Sequence, residues 1–118
     1  MIVKNFQFET FSNLNKNLFI KRIIALLRTE FESASEIPDD EFKVAITNQI
    51  EMANQYGIQI QSNIAKYIIT AFLMGEEFDK NFEGARKILE NNSFDENEKI
   101  ASLEEWTLQV FEVLESKQ

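Results

Sequence analysis

The sequence contains neither cysteine nor histidine among its 118 residues. Without cysteine there is no disulfide and no thiolate metal site. Without histidine the chain lacks the commonest general base and the commonest metal ligand, and it cannot form a Ser-His or Cys-His nucleophile. An enzyme that uses carboxylates alone stays open, but this inventory favours a protein with no catalytic residues, no metal and no cofactor.

Glycine and proline are also scarce, with three residues and one residue respectively. Both types interrupt helices, so their scarcity favours long helices over a turn-rich β fold. The length and the 44% content of apolar residues are those of one domain with a real core, which eleven phenylalanines help to fill. We predict a single all-α domain over residues 1–118, a bundle of about five helices with short loops.

Long hydrophobic runs are missing as well. The longest, residues 23–27, is far shorter than the roughly 20 apolar residues of a membrane helix. The first residues carry neither an apolar secretory segment nor a small-residue cleavage site. These features predict a cytoplasmic protein that does not insert into a membrane.

The net charge is −8 and is unevenly distributed, with −2 in residues 1–59 and −6 in residues 60–118. Such a field repels the phosphates of nucleic acids and attracts basic surfaces. We therefore expect a basic protein partner and no nucleic acid. The simpler interpretation, that acidity only keeps the protein in solution, stays open.

Apolar residues at three- and four-residue spacing predict the positions of the helices. The predicted helices cover residues 8–31, 38–56, 63–74, 82–90 and 94–116. The segment 32–37 is predicted to be a loop, and Lys21, Arg22 and Arg28 are expected to face water. The third helix is apolar nearly all round, which is typical of a helix in the middle of a bundle.

The ends of these helices carry capping signals. Gly57 is well placed for the left-handed position after the second helix. Ser62 is a candidate N-cap of the third helix, and Ser93 with Glu96 fits a capping box for the fifth. Tyr56 and Tyr67 are expected in the core, with their hydroxyls reaching its edge.

An acidic connection precedes the fourth helix and holds Glu76, Glu77 and Asp79. Its spacing does not match a calcium-binding EF-hand loop, so a solvated loop is the simpler interpretation. The same carboxylates could form an acid/base pair, or a surface that a basic partner contacts.

The last helix carries Glu104, Glu105 and Glu112 near Trp106, and no basic residue between residues 104 and 115. An ordinary solvated face is one interpretation, and an acidic docking surface is the other. Trp106 is either a core aromatic or an interface anchor, because tryptophan is enriched at binding hot spots.

One central stretch also suggests a family. It contains, in order, Tyr56-Gly57-Ile58, Ile64, Tyr67-Ile68, Gly75, Phe78-Asp79 and Ile88-Leu89. This order resembles small helical proteins encoded beside type VI secretion effector genes. The resemblance implies a non-enzymatic protein that binds a toxin or effector, either as an immunity protein or as an adaptor that loads it. A homo-oligomer also stays open.

Overall fold

The computed structural model describes residues 13–116, and the side chains of residues 15–114. This part of the chain is helical and contains no strand, which confirms the predicted all-α class. Residues 8–12 of the predicted first helix lie outside the described residues. The described elements are α1 (Asn13–Glu30), a 3₁₀ helix (Glu32–Glu36), α2 (Asp39–Gln55), α3 (Gln61–Met74), the single turn α4 (Phe78–Asn81), α5 (Glu83–Leu89) and α6 (Glu96–Ser116).

Helix α3 lies at the centre of the bundle, as its composition predicts. It packs against α2 on one side and α6 on another, while α1 packs on α2 and α5 packs on α6. Its core-facing side chains include Ile64, Tyr67, Ile68 and Ala71, all of them buried. A helix apolar on most of its circumference needs neighbours on several sides, and this arrangement supplies them.

Lys21 and Arg22 are exposed as expected, whereas Arg28 is half-buried at the connection between α1 and α2, so for Arg28 the expectation is wrong. Its Nη2 donates to the Ile37 carbonyl and to Asp39 Oδ1, both at 2.7 Å. The guanidinium also lies over the Phe42 ring, 5.5 Å from its centroid. The segment between the helices, predicted to be a loop, forms the 3₁₀ helix.

The turn from α2 to α3 depends on a glycine, as predicted. Gly57 has a φ of +83°, which strongly favours glycine. Its N–H donates to the Asn54 carbonyl at 3.0 Å, and the N–H of Ile58 donates to the Ala53 carbonyl at 2.9 Å. This pair of bonds is a Schellman motif, and the fully buried Ile58 side chain anchors it.

The start of α3 is held by a residue from a distant helix rather than by Ser62, so that predicted N-cap is wrong. Glu96 Oε2 accepts the backbone N–H groups of Gln59 at 3.1 Å and Ile60 at 2.8 Å. The same oxygen accepts Asn63 Nδ2 at 2.9 Å. A carboxylate in this position also complements the positive end of the α3 dipole.

Helix α6 begins with a capping box two residues later than predicted. Asp95 Oδ1 accepts the N–H of Glu98 at 2.8 Å, and Glu98 Oε1 accepts the N–H of Asp95 at 2.9 Å. The proposed box of Ser93 with Glu96 is therefore wrong. Aspartate caps a helix as well as serine does, and the shift leaves Glu96 available to hold α3.

We predict that Glu96→Ala lowers the free energy of unfolding by about 0.5–2 kcal/mol, because it removes the acceptor that caps the start of α3. Glu96→Gln keeps one acceptor oxygen and should lose less. Glu105→Ala, an exposed change on the same helix, is the control and should fall within about 0.5 kcal/mol of wild type. Urea unfolding measures all three, and equal losses for Glu96→Ala and Glu105→Ala would contradict the capping role.

Candidate functional site

An exposed apolar residue lies among acidic side chains on α6. Leu108 is the most exposed large apolar side chain in the described part of the chain, at 64%. Helix geometry places Glu104 and Glu105 one turn before it and Glu112 one turn after it. All three glutamates are exposed. We call these four residues the acidic face; it brings together the three glutamates that the sequence singled out.

Leu108 was not predicted as a site residue, although the helical spacing carried the signal. The buried residues Ile100, Leu103 and Thr107 of α6 recur at steps of three and four residues. Leu108 follows Thr107 directly and is therefore rotated by about 100° from that packed stripe. A large apolar residue so far from the packed side of a helix has no place in the core.

One end of the acidic face reaches the neighbouring helix. Glu104 Oε1 lies 3.7 Å from Lys66 Nζ on α3, and both side chains are about half exposed. An ion pair at this exposure contributes roughly 0–1 kcal/mol to stability. Glu104 therefore contributes little to the stability of the fold through this pair, and it can interact with an incoming cation.

The Trp106 side chain packs against α4 and α5 and does not belong to the acidic face. Its ring stacks with Phe78 at 6.5 Å between centroids and meets Phe82 edge-on at 5.5 Å. A Cβ added to Gly84 would lie 2.7 Å from Trp106 Nε1, so glycine permits the close approach of α5 to α6. Because Trp106 is two residues before Leu108, it projects from another side of α6. These are the contacts of a core aromatic.

The three acidic residues of the predicted loop differ in their exposure to solvent. Glu76 and Glu77 are exposed, in agreement with a solvated connection. Asp79 is only 1% exposed, so its side chain does not belong to a docking surface. Its Oδ2 accepts the hydroxyl of Tyr56 at 2.6 Å, which links α4 to the end of α2. A short, part-buried hydrogen bond to a carboxylate is a strong one.

Tyr67 lies beside this pair and is fully buried. Its hydroxyl has no hydrogen-bond partner, so the expectation that it reaches the edge of the core is wrong. Burial, and then the negative charge of Asp79, raise the pKa of Tyr67 above its ordinary value. Burial and the hydrogen bond to Asp79 raise the pKa of Tyr56 in the same way. Both hydroxyls therefore keep their protons at neutral pH.

Asp79 is the carboxylate that Tyr56 contacts, and the charges of Glu90 and Arg86 also act on the Tyr56 hydroxyl. Within the described residues, no three acidic side chains are grouped as metal ligands. No described helix is long and apolar enough to cross a membrane. Comparison of the chain with protein-family models, with curated proteins and with solved structures gives no match.

The two neighbouring tyrosines form a matched pair for a test of the buried carboxylate. Tyr56→Phe should lower the free energy of unfolding by about 1–3 kcal/mol, because it removes a donor from buried Asp79. Tyr67→Phe removes a buried hydroxyl that has no partner and should be neutral or stabilising. Urea unfolding followed by Trp106 fluorescence measures both changes. Equal losses for the two variants would show that the hydrogen bond to Asp79 is not the reason.

Proposed function

We propose that this protein is a non-enzymatic inhibitor of a basic protein, and that the acidic face of α6 contacts this partner. The observation that supports the proposal is Leu108, 64% exposed among three exposed glutamates. An apolar centre with a polar rim is the arrangement of many protein–protein interfaces. The apolar residue contributes affinity when it is desolvated, and the rim selects the sign of the partner's charge.

The distribution of charge supports a basic partner over a neutral one. Residues 60–118, which include α6, carry a net charge of −6. A field of one sign increases the rate of encounter with an oppositely charged protein and disfavours acidic competitors. An inhibitor benefits in particular, because it must meet its target before the target acts.

The role of immunity protein rests on the resemblance to small helical proteins encoded beside type VI secretion effectors. In that role the protein would bind a toxin in the cytoplasm and block its activity. An adaptor that loads an effector is the alternative, and it would bind without blocking activity. A carboxylate-dependent enzyme is less well supported, since the Asp79 side chain is only 1% exposed and already accepts the Tyr56 hydroxyl.

Co-expression with a toxic effector encoded beside this chain separates these roles. We expect wild-type protein to restore growth, and Leu108→Arg to abolish the rescue by placing a positive charge against a basic partner. Leu18→Arg is the matched control, since Leu18 is also exposed, at 47%, but lies on α1. It should retain the rescue. Complex formation with no rescue by wild type would favour the adaptor, and neither binding nor rescue would reject both roles.

Charge reversal tests the acidic face itself. Glu104→Lys, Glu105→Lys and Glu112→Lys together should slow association with the partner by roughly 10- to 100-fold at low salt, because they remove the steering field. The control reverses the exposed Glu30, Glu36 and Glu51, which changes the net charge by the same amount. Stopped-flow kinetics at several salt concentrations measures both sets. A salt-independent rate, unchanged in the first set, would contradict the proposal.

A further inference from the structure

We infer that the acidic face of α6 binds α1 of a second copy of this chain. Helix α1 presents to solvent a surface that is apolar and basic. It consists of exposed residues at three- and four-residue spacing, which we call the basic face: Leu18, Lys21, Arg22, Ala25 and Leu26. The two leucines are 47% and 40% exposed and flank the cations, so this helix has an apolar side without a partner in the bundle.

Helices α1 and α6 carry charges of opposite sign. Helix α1 has four basic residues and one acidic residue, a net charge of +3 in a chain of net charge −8. Helix α6 has six acidic residues and one basic residue, a net charge of −5. Within the described residues Lys21 and Arg22 make no ion pair. Complementary potentials favour the approach of one surface to the other.

The two faces do not cover each other within one chain. Helix α1 packs on α2 and on the 3₁₀ helix, whereas α6 packs on α3 and α5. Both Leu18 and Leu108 remain exposed in the folded chain. A second copy is therefore required to bring the basic face and the acidic face together.

The spacing of charges along the two helices matches in an antiparallel register. When Leu18 lies against Leu108, the cations one turn after Leu18 lie beside the carboxylates one turn before Leu108. These residues are Lys21 and Arg22 in one copy, and Glu104 and Glu105 in the other. The apolar pair thus lies next to two opposite-charge pairs.

The same register also matches apolar residues two turns away. It places Ala25 and Leu26 of one copy beside the exposed Ala101 of the other. A parallel register with the same leucine pair would offer only Glu112 to the two cations. The sequence of exposed residues therefore favours the antiparallel arrangement.

The size of the contact predicts weak association. Two helix faces of two to three turns bury less than the roughly 1,200–2,000 Å² of a standard interface. The contact should therefore form at high protein concentration and exchange readily with a tighter partner. This inference does not rest on the proposed function, because it requires only copies of the chain itself.

Sedimentation equilibrium of the whole protein tests the self-association. We expect the weight-average mass to rise above that of a monomer with concentration at low salt, and added salt to weaken the rise. Lys21→Glu with Arg22→Glu should weaken the association by about tenfold or more, because like charges then face each other. A monomer at every concentration up to about 1 mM would overturn the inference.

A charge swap identifies the surfaces. Glu104→Lys with Glu105→Lys should also weaken self-association, and an equimolar mixture of the two double variants should restore it, since the altered faces complement each other. Lys43→Glu with Lys80→Glu, both exposed, is the control that changes the net charge as much as the α1 variant does. It should associate as wild type does. No restoration in the mixture, or an equal loss in the control, would overturn the assignment of these faces.

Two further outcomes separate this inference from the alternatives. The variant with Lys21→Glu and Arg22→Glu keeps the acidic face, so it should retain the growth rescue while it loses self-association. A failure of the rescue by wild type would reject the proposed function and leave the mass measurement standing. A wild-type protein that stays monomeric and binds phosphatidylserine vesicles would assign α1 to an anionic membrane surface and overturn the inference.

Discussion

The first turn of α6 holds both ends of the turn between α2 and α3, and the centre of the bundle depends on that contact. Glu96 accepts the N–H groups of Gln59 and Ile60 before α3. One turn later, Lys99 Nζ donates to the carbonyl of Tyr56 at the end of α2, at 2.8 Å. An anion thus lies at the start of one helix and a cation at the end of the other, as both dipoles favour. Lys99 is buried, at 8% exposure, whereas the bonds of Glu96 to Gln59 and Ile60 lie at the surface.

A second polar constraint lies close by, where α4 meets the end of α2. Asp79 is buried, and the hydroxyl of Tyr56 donates to it. Tyr56 therefore makes both contacts: its backbone carbonyl accepts a hydrogen bond from Lys99, and its hydroxyl donates one to Asp79. Apolar contacts alone tolerate small rotations of packed helices, whereas buried charged groups must keep their partners. These bonds fix the positions of α2, α4 and α6 relative to one another.

The surface features that support a function lie away from this interior group. The acidic face presents Leu108, which is 64% exposed, within three exposed carboxylates. This surface belongs to α6, which the interior bonds hold in place. A rigid acidic surface loses little entropy on binding, which suits the proposed inhibition of a basic protein.

The sequence by itself determined the all-α class, the central position of α3 and the turn at Gly57, because composition, apolar spacing and glycine conformation are local properties. The sequence also singled out Glu104, Glu105 and Glu112 as a group of acidic residues on the last helix. Tertiary structure decided the rest. The pairs Ser93 with Glu96 and Asp95 with Glu98 both match the sequence pattern of a capping box. Only the packing of the helices shows that Asp95 caps α6 and that Glu96 caps α3. The burial of Asp79 and the separation of Trp106 from the acidic face likewise depend on which helices meet, since a side chain's exposure is set by residues far away in the chain.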